Sequence, residues 1–152
     1  MRAGNTRGKL ARMSDSRWAF THRLTVRFSD CDLFGHVNNA VYFTYFEECR
    51  VEWWPTLGER PMGTTGFGAI IAHCSCNYRS PAFFGDDLDV SLAVAAVGTS
   101  SVTIDHQVVH AKTGRLIADG RTVVVAFNHE AQKTVPVPEA TRERLRALMH
   151  PA

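Results

Sequence analysis

Residues 27–53 read RFSDCDLFGHVNNAVYFTYFEECRVEW, and a change of character inside this stretch decides the fold. Its first part, Ser29–Asn39, is dense in turn formers and polar groups and reads as a loop. From Ala40 to Trp54 the pattern becomes helical: Tyr42, Tyr45, Phe46, Cys49 and Trp53 fall on one face, with Thr44, Glu47, Glu48 and Glu52 elsewhere. Asn38 or Asn39 is the natural N-cap, and Pro55 is the expected stop.

Outward from this helix the chain reads as strands. Before it, His22–Phe28 alternates polar and apolar residues. After a Gly/Pro/Thr-rich connection, Pro61–Gly66, come four strand-like runs: Phe67–Arg79, Asp87–Val97, Ser101–His110 and Arg115–Phe127. Turn signals separate them at Ser80–Pro81 with Gly85–Asp86, at Gly98–Thr99 and at Lys112–Gly114. Within Asp87–Val97, Leu88, Val90, Leu92, Val94 and Ala96 share one face, opposite Asp87, Asp89 and Ser91. Pro138–Met149 reads as a short terminal helix.

The order strand, helix, four strands in a meander implies an α+β domain. One apolar helix face has a single layer to bury against, so a five-stranded antiparallel sheet wraps around one long central helix. The other sheet face then needs cover, which points to a dimer.

Length and charge fit this picture. A chain of 152 residues with 45% hydrophobic and 21% charged residues suits one domain and excludes disordered and fibrous classes. Of 17 basic and 15 acidic residues, five basic groups (Arg2, Arg7, Lys9, Arg12, Arg17) against Asp15 lie in residues 1–20. That leaves 12 basic and 14 acidic residues for the rest, a mildly acidic body that argues against nucleic-acid binding. Residues 1–20 are expected to be a disordered basic arm and 21–152 a single domain. No apolar run reaches the roughly 18 residues of a membrane span. The four cysteines, with no secretory signal, read as reduced thiols of a cytoplasmic protein.

The densest polar cluster is Asp30–Asn39, between the first strand and the helix. A helix N-terminus offers free N–H groups and a positive dipole end, suited to an oxygen that becomes negative during reaction. A carboxylate and an imidazole lie within the same loop, the groups that activate water. Together they suit acyl hydrolysis; alternatively Asp30, Asn38 and Asn39 merely cap a turn while His36 fills a structural niche.

The stretch Arg27–Trp53 resembles the 4-hydroxybenzoyl-CoA thioesterase family of hotdog-fold acyl-thioesterases. YRSPAFFGDDLDV (Tyr78–Val90) is similar to the same family's Pro-x-x-x-Gly-Asp connection, and a looser match runs from about Thr21 to Pro138. The resemblance implies a hotdog fold and an acyl-CoA thioesterase with Asp32 as catalytic base or nucleophile. Asp30 would support the loop, and backbone amides around Val37–Ala40, beside Asn38 and Asn39, would polarise the thioester carbonyl. The HVNN string is also similar to plant acyl-carrier-protein thioesterases. Asp32 and His36 match their Asp and His, but Phe34 stands where an Asn would be, so His36 is assigned to orientation or water binding.

Coenzyme A would arrive as part of the substrate, with no resident cofactor. Its phosphates want basic or hydroxyl groups, for which Arg79, Arg121 and Ser100 in the Gly98–Ser101 turn are the candidates. No metal site is expected: His106 and His110 are four apart on a strand, roughly 13 Å, too far for one ion. Glu47 and Glu48 read as a solvated or interface helix edge, and Cys74 and Cys76 as buried small residues. Partners follow as an acyl-CoA and further copies of the chain, a homodimer or homotetramer, with neither nucleic acid nor membrane. Acyl-carrier-protein hydrolysis and non-catalytic acyl-CoA binding are the competing functions; hydratases lack their His-rich and Pro-Gly-rich strings here.

Overall fold

The computed structural model describes residues 17–58 and 67–149. It contains strand β1 (Phe20–Thr25), helix α1 (Val41–Trp53), strands β2 (Phe67–Tyr78), β3 (Asp87–Val97), β4 (Ser101–His110) and β5 (Leu116–Asn128), the short β6 (Lys133–Thr134) and helix α2 (Glu139–Ala147). The arm assigned to residues 1–20 lies outside the described residues up to position 16, and β1 begins inside its last residue, at Phe20. The Pro61–Gly66 connection is likewise outside them. No described helix is long and apolar enough to cross a membrane.

The five faced residues of α1, Tyr42, Tyr45, Phe46, Cys49 and Trp53, are all buried. The α-helix ends before Pro55, which sits in a single 3-10 turn, Trp54–Leu57, closed by Gly58 at φ 76°. At the other end the N-cap is Ala40 and not Asn38 or Asn39, and it has no side-chain cap. The Asn38 side-chain oxygen instead accepts the Ala40 N–H at 2.9 Å, an Asx turn that leads into the helix.

The strands lie in the order β1-β3-β4-β5-β2, with β6 added to β5, and every pairing is antiparallel. This corrects the expected four-strand meander. Only β3, β4 and β5 follow one another; β2 pairs with β5 at one edge and β1 with β3 at the other. The reason lies in the segment between β2 and β3, which is not a hairpin but a traverse. At its start the Arg79 and Ser80 amides donate to Ile117 of β5, and at its end Gly85 and Asp86 exchange backbone hydrogen bonds with Val26, just beyond β1.

The sheet curls around α1, as a hotdog fold requires. From β1, His22 Nδ1 meets Glu52 at 2.8 Å. From β3, the Val90 carbonyl accepts the Cys49 thiol at 3.2 Å. From β2, the Tyr78 hydroxyl donates to the Asn39 carbonyl at 2.9 Å. Over β5, the Phe46 ring lies on Gly120.

Strand register shifts at three places, between Ile71 and His73, between Val94 and Ala96 and between Val108 and Val109. Leu88, Val90, Leu92 and Val94 are buried as expected, but a bulge between Val94 and Ala96 turns Ala96 outward. The face turned away from α1 is polar and paired within itself: Arg23 with Asp89 at 2.7 Å, Arg121 with Asp105 at 2.7 Å, and Arg79 with Asp119 at 2.6 Å. It is therefore not the bare apolar face that the strand pattern implied. On the strands the exposed large apolar side chains are Ile70, Ile71 and Tyr78 of the edge strand β2 and Leu116 of β5, while Phe28, Leu33, Phe34, Phe83 and Phe84 are exposed in the loops at the start of α1 and between β2 and β3. Cys74 and Cys76 share the β2 edge and are half-buried rather than buried, and the four cysteines are free thiols.

Gly120 fixes the depth of the helix in this cradle. A Cβ there would stand 2.6 Å from the Phe46 ring and would also strike the Ser75 carbonyl. Gly120→Val is expected to lower stability by about 1–3 kcal/mol through overpacking. Urea unfolding should show a lower midpoint with an unchanged slope.

Candidate active site

The strand-to-helix loop is anchored by Asp30. Its side chain is buried at 4% exposure. One carboxylate oxygen accepts the Arg27 backbone N–H at 2.9 Å and the Tyr45 hydroxyl at 2.9 Å, and the Arg27 guanidinium reaches the other oxygen at 3.1 Å. Burial by itself would raise the pKa of this carboxyl. Hydrogen bonds from Arg27 and Tyr45 outweigh that, and the group sits below its ordinary value. The Asp30 carbonyl in turn accepts the Asn38 N–H at 2.9 Å, so one residue ties the loop to both ends of the helix's first turn.

Asp32 lies in a small hairpin whose sides are Cys31 and Val37. The Asp32 N–H donates to the His36 carbonyl at 3.1 Å, and the Gly35 N–H to the Asp32 carbonyl at 3.0 Å. Gly35 takes φ 81°, which only glycine adopts without strain. The Asp32 Oδ1 accepts the Phe34 N–H at 2.9 Å, while its second carboxylate oxygen has no partner among the described residues. His36 does not orient it. The imidazole stacks on Phe34 at 6.2 Å, its Nδ1 faces the Val37 carbonyl at 3.3 Å, and no hydrogen bond joins it to Asp32.

Of the amides from Val37 to Ala40, three are consumed. Val37 donates to the Ala82 carbonyl at 2.9 Å, Asn38 to Asp30, and Ala40 to the Asn38 side chain. The Asn39 N–H alone has no acceptor among the described residues. The first turn of α1 carries no acidic side chain, so the positive end of its dipole is not neutralised locally. Asn38 therefore serves the helix start with its side chain, and Asn39 exposes its backbone.

The residues selected for coenzyme A are dispersed. Arg79 follows Tyr78, whose hydroxyl reaches Asn39, so it sits beside the loop, held by Asp119. Arg121 lies in mid-strand on the face away from α1, paired with Asp105. Ser100 is in the β3–β4 turn, at the far end of the sheet from Tyr78, where its carbonyl accepts the Ala126 N–H at 2.8 Å. The structure brings neither Ser100 nor Arg121 to the Asp32 loop. Glu48 lies within 3.8 Å of both His22 and Arg27, and Glu47 is exposed. No group of three or more potential metal ligands occurs among the described residues.

The profile of the thioesterase-like superfamily matches residues 26–145. The chain belongs to that superfamily, and with it is a thioester hydrolase. The Bacillus subtilis (strain 168) uncharacterized protein YsmA is 30% identical over 128 residues, which cover 84% of this chain and 86% of that protein. The Escherichia coli (strain K12) long-chain acyl-CoA thioesterase FadM is 24% identical over 131 residues, 84% of this chain and 97% of that one. A crystal structure of a 1,4-dihydroxy-2-naphthoyl-CoA thioesterase from Synechocystis superposes with a TM-score of 0.78 at 24% identity, covering 87% of this chain and 98% of that one. At that identity the superposition speaks for the fold alone.

Sequence reading missed two features of this thioesterase loop. The β2–β3 traverse braces it, with Ala82 bonded to Val37 and Phe83 bridged to His36. The Ser80–Pro81 and Gly85–Asp86 signals located a turn there but not its contact. Tyr45 was read as core, whereas its hydroxyl holds Asp30. Asp30→Asn is expected to cost about 1–3 kcal/mol at neutral pH by weakening these bonds. Because the folded carboxyl lies below its ordinary 3.8, its contribution is full above that value and disappears as pH falls through the folded pKa. The gap in urea midpoint between wild type and variant should therefore close in acid.

Proposed function

We propose that the protein hydrolyses acyl-CoA thioesters at the Asp32 loop. The observation that supports this is the presence, in one braced loop, of a carboxylate oxygen and a helix-terminal amide that both lack intramolecular partners. The Asn39 N–H donates to the thioester carbonyl oxygen and strengthens that bond as the oxygen becomes an oxyanion. Asp32 removes a proton from water as the water oxygen attacks the carbonyl carbon. The carbon–sulfur bond then breaks, and the thiolate of coenzyme A leaves and takes up a proton. In the alternative order Asp32 attacks the carbon itself and water cleaves the resulting anhydride. Single turnover in ¹⁸O-water separates the two, since only the second labels the carboxylate.

The naming of the E. coli and Synechocystis relatives for coenzyme A esters supports that carrier over acyl-carrier protein. Asp32→Asn keeps the shape and removes basicity, so kcat on a hydrolysed acyl-CoA should fall about 10²–10⁴-fold with KM little changed. Asp30→Asn should be milder and His36→Ala intermediate. Turnover near wild type in Asp32→Asn would discard this mechanism and move attention to Glu47 and Glu48.

The unpaired backbone edge of β2, with Ile70 and Ile71 exposed beside it, favours a homodimer in which two sheets join edge to edge through β2. The two loops then lie near the join. Sedimentation should give a dimer or a tetramer built from it, and a folded, active monomer would refute the arrangement.

A further inference from the structure

Along its β2 side, α1 faces a line of residues from β2 and β5. Asn39, Phe43, Phe46 and Arg50 recur at helical spacing and form the helix side. Tyr78, Cys76 and Cys74 alternate along β2 and form the sheet side, opposite Ala118, Gly120 and Thr122 of β5. Contacts tie the two sides together at both ends: the Tyr78 hydroxyl meets Asn39 at one, and Arg50 Nη1 meets the Thr122 hydroxyl at 3.2 Å at the other. Phe43, Arg50, Cys74 and Cys76 are all half-buried, whereas Phe46 is fully buried.

The far end holds an unusual group of side chains. The Thr122 hydroxyl, which already receives Arg50, also lies 3.2 Å from His106 Nε2 and 3.5 Å from the Cys74 sulfur. His106 is buried at 2% exposure and stacks on Phe46 at 4.4 Å. Its Nδ1 is buried with no hydrogen-bond partner. Burial, with Arg50 adding, pushes this imidazole down to about 3, so it is neutral and the charge in the cluster belongs to Arg50. Arg50 forms no ion pair among the described residues; Glu47, one turn back, is exposed and unpaired with it. A half-buried guanidinium with one hydroxyl for company is costly to fold unless an anion completes it.

Resting on the hydrolase reading above, we infer that Arg50 is a specificity-determining residue that receives a carboxylate at the far end of the acyl group. The thioester carbonyl is held at Asn39. Eleven residues of helix, at about 1.5 Å each, put Arg50 some 16 Å further on, the reach of an extended acyl chain of roughly a dozen carbons. The fork of the guanidinium matches a carboxylate in two parallel hydrogen bonds. The favoured substrate is then the coenzyme A monoester of a medium-chain dicarboxylic acid, with the chain laid over the half-buried Phe43, Cys76 and Cys74.

The test compares kcat/KM for dodecanoyl-CoA with that for the coenzyme A monoester of dodecanedioic acid. Wild type should prefer the second by tenfold or more. Arg50→Met should lose that preference, a drop of about ten- to a hundredfold in the ratio, while Arg50→Lys keeps part of it. If Arg50→Met does not fold, Arg50→Gln reads the same ratio. Equal kcat/KM for the two esters in wild type overturns the inference and leaves the hydrolase reading standing. Hydrolysis of neither ester, nor of any other acyl-CoA, removes the hydrolase reading itself. A preference that survives in Arg50→Met, with the dimer dissociated in sedimentation, assigns the guanidinium to subunit contact and also overturns it.

Discussion

The buried carboxylate of Asp30 holds the loop between β1 and α1 in place. A loop between a strand and a buried helix carries many backbone polar groups that must be satisfied. Asp30 collects the Arg27 amide and the Tyr45 hydroxyl on its side chain and the Asn38 amide on its backbone. With Val37 taken by Ala82 and Ala40 by Asn38, the Asn39 amide is the one between Val37 and Ala40 left without an acceptor among the described residues. In the proposed hydrolysis, that amide is the donor that would meet the thioester oxygen. A donor left over after all its neighbours have found partners is preorganised, because nothing local competes for it when an oxyanion forms.

The helix carries its charges accordingly. Its first turn has no acid, while Glu48 and Glu52 sit further along and are met by His22 and Arg27 from the β1 side. On the β2 side the same stretch of helix has Arg50 facing hydroxyl, imidazole and thiol groups. The two flanks thus differ in kind. The β1 flank is closed by ion pairs, and on the β2 flank the guanidinium of Arg50 meets a hydroxyl and no carboxylate among the described residues.

The long helix, its buried face and four of the five principal strands were legible within a residue or two, because apolar spacing directly reports which side of an element is covered. Pairing was less legible. Tight turns correctly joined β3 to β4 and β4 to β5, but a Pro-Ala-Phe-Phe-Gly traverse carries the same turn residues as a hairpin, and only its distant acceptors, Ile117 and Val26, reveal that it crosses the sheet. Among loop residues, spacing placed carboxylates and an imidazole beside a helix start, and the family resemblance singled out Asp32 among them. Neither had the means to show that Asn39 is the free amide, since that depends on Ala82, more than forty positions away. Ser100 and Arg121 were chosen by residue type alone, and type does not report which end or face of a sheet a side chain occupies.

The two borders of the sheet are unequal. β1 offers six residues, with Arg23, Thr25 and Thr21 already occupied by side chains of β3, whereas β2 offers twelve with apolar side chains outward. An exposed strand border is a template for adding more strand, and a sheet with two equivalent borders can grow without limit. Here growth has a favoured side only. In the proposed dimer joined along β2, what would face outward at either end is the short, polar border, a stop against growth into a fibre.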